Sequence, residues 1–364
     1  MSFFKGKIVL VTGHTGFKGS WLCAWLSYLG AKVVGVSDDL VSSPSNYVAS
    51  SISKYMHDYR VDVLNIKKLK SIMHEAQPDF VFHLAAQALV RPSYQNPLET
   101  LATNAIGTAN VLEAVRSLNK KMVVVMITSD KAYDNVEWVW GYRETDRLGG
   151  RDPYSASKGM AELAIRSYIE SFFNDSDSDA RIGIARAGNV IGGGDWAQDR
   201  VVPDCMKAWA NNQVVEIRSP HATRPWQHVL EPLIGYLTLA ENLAKDKKNH
   251  GQAYNFGPSA DQNHSVGGLI SEMSKYWNQV RWNDVSEVEH LHEAGLLKLN
   301  CDKALFDLNW KPTLQFEETV KMTVEWYRQY YQTPEDSMYE YTISQINTYS
   351  NIAKSRNIFW ACDD

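Results

Sequence analysis

The chain has 364 residues, of which 44% are hydrophobic and 22% are charged, an ordinary globular composition that excludes collagen, coiled coil and wholesale disorder. Its length suits two domains, or one large domain with an appended lobe. The 37 Lys and Arg residues against 42 Asp and Glu residues give a net charge of −5, which argues against bulk attraction to nucleic acid or anionic lipid.

Cysteine usage and hydropathy place the chain among reduced, non-membrane proteins. The four cysteines are scattered without a CxxC pair: Cys23, Cys205, Cys301 and Cys362. This spacing predicts free thiols in a cytoplasmic protein rather than disulfides or a zinc site. The longest apolar run, Met122–Ile127, is too short to span a bilayer, and the strand-like run at residue 7 leaves no room for a signal peptide. We expect no membrane partner and no nucleic-acid partner.

The first half of the chain alternates short apolar runs with helical patterns. Strands are predicted over residues 7–12, 32–36, 59–62, 79–84, 122–128 and 181–187, and helices over 17–29, 98–118 and 154–173. Strands that are apolar throughout and separated by helices are typical of a parallel sheet covered on both faces. The predicted fold class is therefore α/β, a Rossmann-like doubly wound parallel sheet.

The pattern changes after residue 192, where loops rich in Gly, Pro and Trp separate shorter elements. Two helices are predicted, over residues 232–243 and 318–331. We predict a dinucleotide-binding domain over residues 1–190 and a smaller α/β substrate-binding lobe, interleaved with it, over residues 191–364. The polar, Tyr-rich tail from residue 333 has no readable role.

A glycine-rich run, GHTGFKG, follows the first predicted strand and opens the first helix. Glycines there allow a tight turn that approaches a pyrophosphate, and the helix N-terminus supplies amide donors. The residues assigned to this contact are Gly13, Thr15, Gly16, Phe17, Lys18 and Gly19, with Lys18 either assisting the phosphates or solvated. Asp38 ends the second strand, where a carboxylate bonds the adenosine ribose and repels a 2′-phosphate, so the predicted cofactor is NAD rather than NADP.

A tyrosine and a lysine four residues apart open a later helix, in the run YSASK at 154–158. Tyr154 and Lys158 share one helix face, and the ammonium is expected to lower the tyrosine pKa so that Tyr154 serves as a base near neutral pH. Ser129 closes a strand that ends at the carboxyl edge of the sheet. We predict that these three side chains meet beside the cofactor.

These motifs resemble the extended short-chain dehydrogenase/reductase family along nearly the whole chain. The matching runs are GHTGFKG, HLAAQ (83–87), TNAIGTANVLEA (103–114), YSASK, RAGNVIGGGDW (186–196), RPWQHVLEP (224–232), YNFGP (254–258) and NWKPTLQFEE (309–318). Within the family the chain is similar to nucleotide-sugar 4,6-dehydratases, above all to the branch acting on CDP-glucose. The resemblance adds Asp62, Leu84, Ala85 and Ala86 to the cofactor site.

The resemblance implies a redox-neutral reaction toward deoxysugars of surface polysaccharides. Tyr154 takes the 4-hydroxyl proton as hydride leaves C4, Ser129 hydrogen-bonds near O4, Asp130 protonates the departing C6 hydroxyl, and hydride returns to C6. Lys131 stands where relatives carry the glutamate that takes the C5 proton. It either takes that proton as a neutral amine, or protonates the departing water while Asp130 or Tyr154 acts at C5, or forms a structural ion pair with Asp130.

The resemblance also assigns the substrate residues. Gln87, Arg91, Asn189 and Arg224 are expected to contact the nucleotide sugar, and Arg200 is a weaker phosphate ligand because Asp199 can neutralise it. The helices at 98–118 and 154–173 pair across a homodimer in this family, and dimers can pair into a tetramer. No metal site is predicted, since His290 and His292 would point to different faces of a helix.

Another NDP-glucose 4,6-dehydratase stays open at the level of sequence, because the base preference rests on the family likeness alone, and two further alternatives stay open beside it. A nucleotide-sugar 4-epimerase or dehydrogenase has the same fold, but an epimerase needs no acid for water loss, so Asp130 and Lys131 argue against it. A catalytically silent NAD-sensing protein is the other, and such proteins typically lack the tyrosine or the lysine that this chain has.

Overall fold

A seven-stranded parallel sheet forms the centre of the computed structural model, which describes residues 2–40, 42–174, 179–286, 296–333 and 337–362. The strands are β1 Ile8–Thr12, β2 Lys32–Ser37, β3 His57–Arg60, β4 Phe80–His83, β5 Met122–Ile127, β6 Ala180–Ala187, β7 Val190–Ile191, β8 Val215–Ile217, β9 Thr223–Arg224, β10 Gln227–His228, β11 Ala253–Phe256, β12 His264–Ser265 and β13 Trp282–Asp284. The central sheet has the order β3-β2-β1-β4-β5-β6-β11 with every pair parallel, which confirms the predicted fold class.

Helices cover both faces of this sheet. They are α1 Phe17–Tyr28, α2 Asn46–Ala49, α3 Ile66–Ala76, α4 Val90–Gln95, α5 Pro97–Leu101, α6 Gly107–Leu118, α7 Pro153–Tyr168, α8 Val201–Ala210, α9 Leu230–Lys245, α10 Val266–Met273, α11 Asp302–Leu308, α12 Phe316–Gln332, α13 Tyr339–Ser355 and α14 Phe359–Cys362. None of the helices in the described ranges combines the length and apolar character that a membrane span requires.

The two faces of the sheet bury separate cores, because alternate residues of a strand point to opposite faces. In β1, Val9 and Val11 face the core under α1, α9, α12 and α13, whereas Leu10 faces the core under α3, α6 and α7. This alternation explains why the central strands are apolar at every position.

Three of the differences from the sequence-based expectation lie in the first half of the chain. Strand β3 begins two residues earlier than predicted and is polar, as suits a strand at the sheet edge. Helix α3 was not predicted, although Asn65 caps it and Leu69, Ile72 and Met73 form a buried stripe. The predicted helix over 98–118 is interrupted by a π-helical turn at Ala102–Ile106.

The later half of the chain is fastened to the sheet. Strand β11 pairs with β6, and α9 packs on the sheet face. Helix α13 from the tail packs against α1, where the rings of Trp25 and Tyr349 lie 6.0 Å apart. Glu231 of α9 accepts hydrogen bonds from the backbone N–H groups of Thr313 and Leu314 and from the Tyr349 hydroxyl at 2.8 Å. The tail is therefore part of the packed structure.

Candidate active site

A cavity of about 930 Å³ opens at the carboxyl edge of the parallel sheet. All the residues that the sequence assigns to cofactor, catalysis or substrate lie on its wall. The carboxyl edge is where open α/β sheets bind ligands, because loops from several strands converge there. The structure thus brings the predicted residues together, while the role of each stays a prediction.

The glycine turn between β1 and α1 forms one end of this cavity. Gly13 has φ +73°, and a Cβ there would lie 2.6 Å from the backbone nitrogen of Ala85. A Cβ on Gly19 would lie 2.1 Å from the carbonyl oxygen of Gly13. Both positions therefore require glycine, and the close packing aims the N-terminus of α1 into the cavity.

Polar groups at the ends of β2 and β3 line the same end. The Thr15 hydroxyl lies 2.8 Å from the Ser37 hydroxyl and donates to the carbonyl oxygen of Asp39 at 2.7 Å. The Asp38 carboxylate is exposed and accepts the N–H of Asp39 at 2.8 Å. Asp62 accepts the N–H of Leu64 at 2.8 Å. The two carboxylates keep free lone pairs for a ligand, since each accepts one of these bonds.

The loop after β4, which carries Leu84, Ala85 and Ala86, is fixed by a buried chain of hydrogen bonds. The N–H of Ala85 donates to the Thr12 hydroxyl at 3.2 Å, which lies 2.7 Å from Nδ1 of His83. Nε2 of His83 lies 3.0 Å from the Thr108 hydroxyl. Burial lowers the pKa of His83 to about 3, so this histidine is neutral and structural.

The segment after β5 carries three of the predicted catalytic groups in a single 3₁₀ turn. The Ser129 hydroxyl accepts the N–H of Lys131 at 3.2 Å and donates to Oδ1 of Asp130 at 2.9 Å. The Asp130 side chain is buried, and the Lys131 ammonium lies 4.0 Å from its Oδ1, at the long end of an ion-pair distance. Both side chains face the cavity, so the structural and the chemical interpretations of Lys131 are compatible.

Helix α7 delivers the tyrosine and the lysine to the same wall. Asp152 caps the helix by accepting the N–H of Ser155 at 3.0 Å, and Tyr154 and Lys158 are buried one turn apart. Burial raises the pKa of Tyr154 to about 12, with Asp130 adding to the rise and the Ser129 hydrogen bond and Arg200 opposing it. The predicted lowering of the Tyr154 pKa is therefore wrong for the protein groups alone, because desolvation outweighs them.

Two lysines on this wall have depressed pKa values. Burial lowers the pKa of Lys158 to about 8. Burial also lowers the pKa of Lys18 to about 7, with Arg200, Lys158 and Lys131 lowering it further and Asp130 opposing them. The Lys18 side chain is therefore close enough to Asp130 and Lys158 for their charges to change its pKa. The glycine motif alone did not predict this proximity.

The arginines expected to bind the substrate form ion pairs that differ from the prediction. Arg200 pairs with Asp195 at 2.7 Å rather than with Asp199. Asp199 instead joins Arg91 at 2.8 Å and Arg218 at 3.2 Å. The predicted neutralisation of Arg200 by Asp199 is therefore wrong. Arg218, which also lines the cavity, was missed because no motif marks it.

The other predicted substrate residues differ in how many hydrogen bonds their side chains form within the protein. The Gln87 amide donates to the carbonyl oxygen of Leu89 and to the Thr100 hydroxyl, and accepts the N–H of Leu89 at 2.6 Å. Its role here is to shape the loop. Arg224 donates to the carbonyl oxygen of Thr223 at 2.9 Å, and both Arg224 and Asn189 face the cavity.

No group of three His, Cys, Asp or Glu side chains within the described ranges could hold a metal ion. His290 and His292 lie outside the described residues.

Comparison with known proteins gives dehydratases as relatives. The family model described as GDP-mannose 4,6 dehydratase matches residues 10–323. CDP-glucose 4,6-dehydratase of Salmonella typhimurium (strain LT2) is 46% identical over 331 residues, which cover 90% of this chain and 92% of that protein. dTDP-D-glucose 4,6-dehydratase of Homo sapiens is 25% identical over 89% of this chain and 90% of that protein.

Solved structures share the fold. The structure of Bacillus anthracis dTDP-glucose 4,6-dehydratase in complex with NAD aligns with a TM-score of 0.74 at 19% identity, covering 89% of this chain and 97% of that one. A UDP-glucose 4-epimerase from Stenotrophomonas maltophila aligns with a TM-score of 0.77 at 21% identity, covering 90% and 99%. The family-model match and the 46% identical relative show that this chain belongs to the GDP-mannose 4,6 dehydratase family, within the extended short-chain dehydrogenases/reductases.

Proposed function

We propose that the protein is an NAD-dependent, redox-neutral dehydratase that converts CDP-glucose to CDP-4-dehydro-6-deoxyglucose and water. The observation that carries the proposal is the meeting of Ser129, Asp130, Tyr154 and Lys158 on one wall of the cavity that begins at the glycine turn. The preference for CDP-glucose rests on the likeness to the Salmonella enzyme.

The residues of the cavity fit a dinucleotide. A Cβ at Gly13 or Gly19 would clash with the protein's own backbone, so glycine at both positions keeps the turn tight and leaves the N-terminus of α1 beside the cavity, where its amides could bind a pyrophosphate. The Asp38 carboxylate at the end of β2 suits a ribose diol and disfavours a 2′-phosphate. NAD, when bound, supplies the hydride acceptor for C4, the hydride donor for C6 and a positive charge beside the Tyr154 phenol.

The protein groups handle the protons. Tyr154 takes the proton of the 4-hydroxyl, and the Ser129 hydroxyl orients it. The Ser129 hydrogen bond and the positive charge of Arg200 lower the phenol pKa from the value that burial imposes, and the charge of bound NAD would lower it further. Asp130 is buried beside the same tyrosine, and we assign to it, in its protonated form, the protonation of the departing 6-hydroxyl.

Lys131 is the group that we assign to the C5 proton. Its side-chain nitrogen lies 4.0 Å from Oδ1 of Asp130 on the cavity wall, and in the chain it stands where relatives carry the glutamate that takes this proton. Asp130 or Tyr154 would take the proton instead if Lys131→Met retained exchange of the C5 hydrogen with solvent.

An isotope experiment tests the reaction class. CDP-glucose carrying deuterium at C4 should yield a product with that deuterium at C6, because hydride is removed and returned within one site. Mass spectrometry and proton NMR locate the label. A product that keeps the label at C4, with inverted stereochemistry there, would replace the dehydratase by a 4-epimerase.

We further propose that the protein is a cytoplasmic homodimer. Apolar side chains are exposed along the pair formed by α5–α6 and α7: Leu98, Ile106, Met160, Leu163 and Phe172. A second copy covering this face would bury them. The free cysteines suit a reducing compartment. Light scattering should give twice the chain mass, and Leu163→Glu should give the monomer; a wild-type monomer would contradict the proposal, and a wild-type tetramer would extend it.

A further inference from the structure

A buried ion pair lies directly behind the catalytic wall. Glu162 of α7 and Arg186 of β6 face each other through two parallel hydrogen bonds, Nε to Oε1 at 2.8 Å and Nη2 to Oε2 at 2.9 Å. Each side chain is only 2% exposed, and neither lines the cavity. A buried ion pair often contributes little to the free energy of unfolding, so stability alone does not explain this one. Its hydrogen bonds to the residues around the site indicate a further role.

The pair holds both ends of the segment that carries Ser129, Asp130 and Lys131. Before the segment, the Thr128 hydroxyl donates to Oε1 of Glu162 at 2.5 Å. After it, Arg186 hydrogen-bonds the Tyr133 hydroxyl at 2.7 Å. Thr128 lies one residue before this turn, and Tyr133 lies two residues after it. Glu162 and Arg186 therefore fix where the turn lies relative to α7.

Glu162 also supplies charge to the lysine on its own helix. It follows Lys158 by four residues, which places both side chains on one helix face. Burial lowers the Lys158 pKa and Glu162 raises it. The other ionisable groups that face Lys158 are His83 of β4, Lys18 of the glycine turn and Tyr154 of α7. None of these three carries a negative charge at neutral pH, so Glu162 is the group that favours the ammonium.

We propose that Glu162 and Arg186 are positioning residues of the reaction: together they hold the Ser129–Lys131 turn against α7, and the Glu162 charge maintains Lys158 as an ammonium beside Tyr154. Neither residue lines the cavity in which the substrate would bind. This inference rests on the proposed function, because it assigns the pair to the same proton transfers.

Glu162→Gln keeps an acceptor for Thr128 and removes the charge. Because the lost charge no longer raises the Lys158 pKa, the basic limb of the kcat profile, where Lys158 loses its proton, should move to lower pH by on the order of one unit. Glu231→Gln is the matched control, since Glu231 is equally buried but lies off the cavity wall. That control should lower the melting temperature without moving the limb.

The double variant Glu162→Leu/Arg186→Met separates positioning from stability. It leaves no unpaired buried charge, so its melting temperature should be close to that of the wild type. Its kcat should nevertheless fall by about tenfold to a hundredfold with little change in KM, because the turn loses both anchors while no side chain that lines the cavity is replaced. The double variant also serves if Glu162→Gln does not fold.

A folded double variant with wild-type kcat would overturn the positioning role, and an unmoved basic limb in folded Glu162→Gln would overturn the electrostatic role. Both results require a wild type that dehydrates a nucleotide sugar. A wild type without that activity would instead contradict the proposed function.

Discussion

Tyr154 lies where opposing electrostatic effects meet. Burial and Asp130 raise its pKa, whereas the Ser129 hydrogen bond and Arg200 lower it. A phenol in these surroundings releases its proton only with cationic help, which ties proton transfer to the occupied site. Burial also depresses the pKa values of Lys158 and Lys18, and the Lys158 charge lowers that of Lys18 further.

Tyr154→Phe tests the assignment of the base. The substitution keeps the ring and removes the hydroxyl, so kcat should fall by about a thousandfold or more while the fold is retained. Product formation by mass spectrometry and the melting temperature together measure this. Turnover within a few-fold of the wild type would remove Tyr154 from the proposed role.

Asp130→Asn tests the acid. The variant should oxidise C4 yet fail to lose water, because the amide cannot protonate the departing hydroxyl. Quenching with borodeuteride should then place deuterium at C4 of an intact hexose. Asp134→Asn is a matched control off the cavity wall and should dehydrate normally. Normal dehydration by Asp130→Asn would show that another group is the acid.

At the scale of elements, the turn from β1 to α1 depends on close packing of backbone on backbone. In Gly19→Ala the new Cβ would meet the carbonyl oxygen of Gly13 at 2.1 Å, so the turn must open. Affinity for NAD, measured by calorimetry, should fall by about tenfold or more. Gly257→Ala, whose Cβ meets only ordinary contacts at 3.5 Å or beyond, should leave the affinity unchanged. Equal affinity in both variants would contradict the assignment of this turn.

The predictability of the elements follows from what surrounds them. Strands β1, β4 and β5 are buried on both faces, so their sequences are apolar throughout and were predicted nearly to the residue. Strand β3 lies at the sheet edge, and because its sequence is polar, the residues at which it begins and ends could not be predicted from an apolar run. Helix α3 also has a signal in its sequence, the Asn65 cap and an apolar stripe.

The candidate site was predictable where a motif is continuous in sequence. The glycine turn and the Tyr154–Lys158 pair are of this kind, and in the structure both lie on the wall of the cavity, as predicted for residues of one site. Pairings between distant elements were not predictable. Asp195 rather than Asp199 neutralises Arg200, and Glu162 reaches Arg186 across two elements, because tertiary packing decides which charges meet.

At the scale of the whole molecule, the sheet and its two cores enclose neutral histidines whose titration couples to folding. Burial lowers the pKa of both His83 and His228 to about 3. Both therefore bind a proton in the unfolded chain at a higher pH than in the folded one. Their contribution to stability is full above the unfolded pKa of about 6.5 and is lost as the pH falls toward 3.

Urea unfolding at about pH 7.5 and about pH 5 measures this dependence. Each histidine should account for about 2 kcal/mol of the loss at the lower pH. In His83→Gln the difference between the two conditions should shrink by about that amount. An unchanged difference would mean that His83 is not kept neutral by the fold.

The central claim concerns the reaction, and mass spectrometry of CDP-, UDP- and dTDP-glucose incubated with the purified protein and NAD tests it most directly. The account predicts loss of one water from CDP-glucose, without added reductant, and little or none from the other two. Dehydration of another nucleotide sugar in preference would keep the mechanism and change the substrate. All three recovered with unchanged mass would contradict the dehydratase assignment.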